Sequence, residues 1–91
     1  MDKRTIENIQ PFTKGNEIVR QLEPVVFNQK VNGKINIGLV SQSVGEIEPL
    51  LVSKNLNGIL SVENDRLLMV LVNAVKELQH EVESLKKIKK K

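Results

Sequence analysis

Leu67-Leu68-Met69-Val70-Leu71-Val72-Asn73-Ala74-Val75-Lys76-Glu77-Leu78-Gln79-His80-Glu81-Val82-Glu83-Ser84-Leu85 contains neither glycine nor proline, and its aliphatic residues recur at helical spacing. Leu68, Leu71, Val75, Leu78, Val82 and Leu85 follow one another at intervals of 3, 4, 3, 4 and 3. These are the a and d positions of three heptads. Asn64 stands in front as a helix cap, so the pattern predicts a helix over residues 64–88, about 37 Å long at about 1.5 Å per residue. In this frame Glu81 is a g position and Lys86 an e position, the pair that bridges neighbouring helices of a parallel coil. Glu83 and Lys87 can pair at i, i+4 along one helix. The next a position is Lys89, where the coil is expected to fray. His80 falls at f and points outward, without the partners that a pH switch or a ligand site needs.

The remainder of the chain is too small to need so long a helix for itself. Ninety-one residues make one domain that buries only a little over roughly 60% of the surface its unfolded form exposes. Only two residues, Phe12 and Phe27, are aromatic. A core this thin is usually reinforced by cross-links or by assembly. There is no cysteine, which removes disulfides and thiolate zinc sites, and one histidine makes no imidazole cluster. No metal or cofactor is therefore expected. Assembly remains, and a self-associating coil is favoured over a stripe that packs on its own domain. Valine at a with leucine at d leans towards two strands on peptide rules.

Residues 1–15 read as a mostly extended polar arm with isolated Ile6, Ile9 and Phe12. Residues 16–63 hold short helices and hairpins, and residues 64–91 the coil helix with a basic tail. Asn16 is the expected cap of a short helix over 17–22, with Glu17 at its positive end. Glu23-Pro24 ends it. Asn32-Gly33 between two β-rich runs predicts a type I′ hairpin, with Ile35, Ile37 and Leu39 on one face of the second strand. The first strand alternates poorly, which allows a bulge or a slipped register. Ser43 and Glu46 have capping-box spacing for one or two helical turns before Pro49. Asn57-Gly58 marks a second, smaller hairpin. The fold class is α+β, with small hairpins and short helices followed by a long C-terminal helix.

Charge and composition narrow the function. Lys86, Lys87, Lys89, Lys90 and Lys91 crowd the last six positions; without them nine basic residues face eleven acidic ones, a net charge of −2. The basic pI belongs to the tail, and the rest offers no basic nucleic-acid surface. The longest apolar run, residues 67–72, is far short of a membrane span, and residues 1–4 lack the apolar stretch of a secretion signal. No catalytic constellation stands out. Ser41, Ser43, Ser53, Ser61 and Ser84 have no base near them in sequence, and there is no glycine-rich phosphate loop.

Three stretches, in order, resemble a known family. Asp2-Lys3-Arg4-Thr5-Ile6-Glu7-Asn8-Ile9 is similar to a Ser-Asp-x-Arg-x-Lys-x-Asn-Ile opening. Ile37-Gly38-Leu39-Val40-Ser41-Gln42-Ser43-Val44, followed by Glu46, Ile47, Pro49 and Leu50, resembles a GFIAQEV segment with its trailing proline. Asn73-Ala74-Val75-Lys76-Glu77-Leu78 resembles an EAVKEL helix. Together they resemble the endosialidase-type C-terminal intramolecular chaperone domain, an auto-processing module of phage tail spikes and fibres and of some membrane-tethered transcription factors.

The resemblance implies a homotrimer whose parallel, three-stranded coil holds the ends of three β-structured chains together. It also implies an upstream fibre or spike domain of the same polypeptide, and a place in the virion or in the infected host cytoplasm during assembly. Many members cut themselves off with a serine nucleophile and a lysine base five residues later. Here Met1 stands at the serine position and Ile6 at the lysine position, so no catalytic residue is expected and the module is expected to be proteolytically silent. Asp2, Arg4, Glu7 and Asn8 match the motif and are given a structural role only. The competing reading is an oligomeric adaptor that binds nucleic acid or an acidic surface through residues 86–91. Aromatic stacking platforms are missing for that task.

Overall fold

Helix α3, Asn64–Lys89, is the longest element of the computed structural model, which describes residues 1–89. Its 26 residues span about 39 Å at about 1.5 Å each. Ahead of it come a 3-10 turn at Lys3–Thr5, helix α1 (Gly15–Gln21), strands β1 (Val25–Asn28) and β2 (Ile35–Gly38), and helix α2 (Ser41–Ile47). A second 3-10 turn at Pro49–Leu51 and strands β3 (Val52–Lys54) and β4 (Leu60–Val62) complete the chain. The class is α+β, with two separate two-stranded antiparallel sheets.

The core lies where α1, α2, the second 3-10 turn and α3 meet. Ile18, Val44, Leu51 and Val70 are buried there, and Val19, Leu22, Leu39, Ile47, Val52, Val62 and Leu67 pack around them. Two bonds tie α3 to the turn before it: Glu63 N–H donates to the Leu51 carbonyl at 2.7 Å and the Arg66 guanidinium to that of Leu50 at 2.8 Å. The α3 ladder starts one residue ahead of Asn64, where Leu67 N–H donates to the Glu63 carbonyl at 3.0 Å.

Helix α1 differs from the local prediction. It begins at Gly15, so Asn16 lies inside the helix and no side chain of its own caps it. Its first amides are satisfied from α3: Gly15 N–H donates to Asn73 Oδ1 at 2.7 Å, and Asn16 N–H to Glu77 Oε1 at 3.1 Å. Glycine permits this approach, because a Cβ at position 15 would stand 2.5 Å from the Ala74 nitrogen and 2.7 Å from the Val70 carbonyl oxygen. The Ser43–Glu46 capping box also fails to form. Helix α2 starts at Ser41 behind Val40, with no side-chain cap, and so carries Ser43 inside its first turn.

Both hairpins form where the Asn-Gly pairs predict them, with different turns. Strands β1 and β2 pair regularly from Val25 with Gly38 to Asn28 with Ile35, without a bulge. The ladder continues through Gln29 N–H to the Lys34 carbonyl at 2.8 Å, which leaves residues 30–33 as a four-residue loop. A type I′ turn needs positive φ at both Asn32 and Gly33, and only Gly33 has it, at 71°. Asn32 instead accepts from Lys34 N–H at 2.9 Å through its side chain. In the second hairpin Asn55 Oδ1 accepts from both Asn57 N–H (2.9 Å) and Ile59 N–H (3.0 Å). Gly58 alone takes the left-handed conformation, at φ 79°. An asparagine carboxamide that catches the amide two residues on makes an Asx turn, which replaces the I′ geometry at both sites.

Taken as one chain, this is an open shape. Its extents are 58 × 37 × 21 Å and its radius of gyration is 17.3 Å, where a globular chain of this length would have about 12 Å. It exposes 8205 Å², against about 5,400 Å² expected for a folded monomer of its mass. Among the described residues no helix is long and apolar enough to cross a membrane.

Candidate functional site

Helix α3 has two apolar faces, and its own subunit covers only one. Val70 and Ala74 are buried and Leu67 is half-buried beneath α1 and the core, with Asn73 and Glu77 turned to the start of α1. The adjacent face carries Leu68, Leu71, Val75, Leu78, Val82 and Leu85. All six are exposed, from 40% at Leu71 to 59% at Leu85. Val72, at an e position beside this seam, is exposed as well. An apolar row of this length that its own chain leaves about half exposed is the kind of surface used in protein–protein contacts.

The charged flanks are equally open. Glu81 and Lys86 both face solvent, on opposite flanks of the seam. Glu83 and Lys87 do not close the expected ion pair; among the described residues the only salt bridge is Asp2 with Arg4. Exposed helix pairs of this kind contribute only about 0.3–0.5 kcal/mol, too little to hold two long side chains in place. His80 is exposed, and its carbonyl accepts from Ser84 Oγ at 3.0 Å. Lys86 and Lys87 are exposed on α3. The Lys89 side chain and the last two tail lysines, Lys90 and Lys91, lie outside the described residues.

At the other end of the chain, Asp2 caps the first 3-10 turn through Arg4 N–H at 2.8 Å and grips the Arg4 guanidinium, Nη2 to Oδ2, at 2.8 Å. The side-chain bond to Arg4, followed by the bond to its backbone amide, holds the Asp2 carboxyl below the usual aspartate range. The same bond raises Arg4. Met1 is fully exposed, Ile6 is half-buried, Glu7 is exposed, and Asn8 adopts a left-handed φ of 53°. Neither Met1 nor Ile6 has a group that attacks a carbonyl or takes a proton. Ser53 donates to Glu63 at 2.5 Å and lies 3.3 Å from Ser61 Oγ, an arrangement that ties β3 to β4. No group of three metal-ligating side chains occurs among the described residues.

Ile35 and Ile37 share a face with Val26, and all three are exposed; Leu39, which continues that alternation, turns into the core. The two-stranded sheet has no second layer on this side within one chain. Sequence reasoning missed Gly15, Asn73 and Glu77 as the fastening between the first and last helices. The one local signal is a glycine at the head of a helix beside polar residues on a neighbouring buried stripe. No family model matches the chain, and no curated protein matches it.

Proposed function

We propose that this chain is a C-terminal intramolecular chaperone and trimerisation module. Three copies join through a parallel coiled coil along Leu68, Leu71, Val75, Leu78, Val82 and Leu85 and bring the ends of an attached β-structured fibre or spike into register. The observation that carries the reading is the exposed a/d seam on a helix whose other apolar face is already occupied. The choice of three helices over two rests on the family resemblance, since valine at a with leucine at d leans towards two. Glu81 of one copy pairs with Lys86 of the next.

Tethering three fibre ends converts a three-body encounter into a local one at high effective concentration. It also removes the register search that non-local β pairing otherwise imposes. With methionine at position 1 and isoleucine at position 6, the module does this without cutting itself. Light scattering tests the reading: the full chain should have the mass of three copies at tens of micromolar, an on-the-order-of concentration at which a working coil holds. Replacing Leu71→Asp and Leu78→Asp buries unpaired charge, costs several kcal/mol per coil, and should leave single chains. A double variant that keeps its mass refutes the assignment. A monomeric wild type at that concentration refutes it as well.

A further inference from the structure

The subunit body is not centred on α3. It covers the g side, where Ala74 is buried and Leu67 half-buried, and it leaves the e side bare at Val72, Gln79 and Lys86. On the covered side an open groove runs between α1 and α3, with Val19 and the seam residue Leu78 in its walls. Glu17, Glu77, Glu81 and Arg20 rim it, three carboxylates against one guanidinium. Glu77 is engaged with Asn16 N–H, while Glu17 and Glu81 face solvent.

In a parallel coil the g side of each helix meets the e side of the next. We propose that the acidic groove between α1 and α3 is a socket for the bare flank of a second copy's α3, entered by that copy's Lys86, so that α1 belongs to the interface together with the coil. The proposal rests on the parallel coil of the preceding section and gives it a second element. Charge complementarity identifies the occupant: a lysine at e is delivered to a rim that holds Glu81 at g and Glu17 on α1. Surface area agrees. The chain exposes roughly 2,800 Å² more than a folded monomer of its mass, well beyond the roughly 800 Å² per partner of a standard interface. Socket on one copy and flank on the next make a head-to-tail contact that closes into a ring. An antiparallel pair, which sets g against g, leaves the socket empty.

The absence of cysteine makes the test direct. Glu17→Cys and Lys86→Cys chains are prepared separately, mixed unfolded, refolded together and treated with a short bis-maleimide, since a lysine–carboxylate contact holds its Cα atoms beyond the roughly 7 Å limit of a disulfide. Lys86 lies on the flank of α3 away from α1, so a bond between the two positions must join different chains. The expected result is a two-chain cross-link in the mixture, and a covalently closed ring from the doubly substituted chain. An assembly of normal mass without that cross-link overturns the socket and leaves the coil standing; a chain that stays monomeric overturns both. Charge reversal is the second arm. Glu17→Lys and Lys86→Glu should each raise the concentration for half-assembly about two- to fivefold, and their combination should restore it. Simple multiplication of the two losses overturns the proposal.

Discussion

At Gly15 the first helix lies so close to the last that a methyl group would overlap backbone atoms of Val70 and Ala74, and neither of those can swing aside as a side chain would. Gly15→Ala should therefore cost about 1–3 kcal/mol, by separating α1 from α3. A thermal melt checks this, since about 1 kcal/mol shifts the midpoint of a domain this size by roughly 4–8 °C. Asp2 is a contrasting residue, exposed, with its carboxylate tied only to Arg4. Its folded carboxyl titrates below the unfolded one, so its contribution to the first 3-10 turn is present above the unfolded value and is lost as pH falls through the folded one. An NMR titration should give Asp2 a midpoint below the usual aspartate range, and an Arg4→Ala change should bring it back up. The turn should loosen at acid pH while Ile18 and Val70 stay packed. A mid-range Asp2 midpoint contradicts the fork.

Elements were legible in proportion to how local their causes are. Helix α3 could be read because periodicity and an unbroken run of helix formers reside in the segment itself. Both hairpins could be placed, since β-rich runs around Asn-Gly need no distant partner. Their turn types could not, because Asn32 and Asn55 use their side chains on nearby amides and so remove the need for a second positive φ. The start of α1 was beyond local reasoning for a simpler reason: its acceptors, Asn73 and Glu77, lie 58 and 61 residues away. Sequence reasoning followed the a/d seam alone, and the buried face of Val70 and Ala74 beside it became visible only in the structure. Strands β1 and β2 make a further expectation. A lone two-stranded sheet is marginal in water, and Val26, Ile35 and Ile37 are uncovered. In the single chains produced by the Leu71→Asp, Leu78→Asp variant, amides of β1 and β2 should exchange with deuterium at least about tenfold faster than that of the buried Ala74. Equal protection would mean that the sheet is supported within its own chain.

On the scale of the whole molecule, a flat body 21 Å thick, with five buried hydrophobic side chains among the described residues, has little to hold it together alone. Stability that comes from association depends on concentration. The melting midpoint should climb by a few degrees for each tenfold increase in chain concentration, and one that stays constant would place the stability within the subunit. The fastening of Gly15 and Asn16 to Asn73 and Glu77 has a last consequence, for the order of events at the ribosome. Synthesis runs from the amino end, so α1 has no seat until the codons for Asn73 and Glu77 have been translated. A nascent chain that stalls before them leaves α1 uncapped and Ile18 without the Val70 that shares its core.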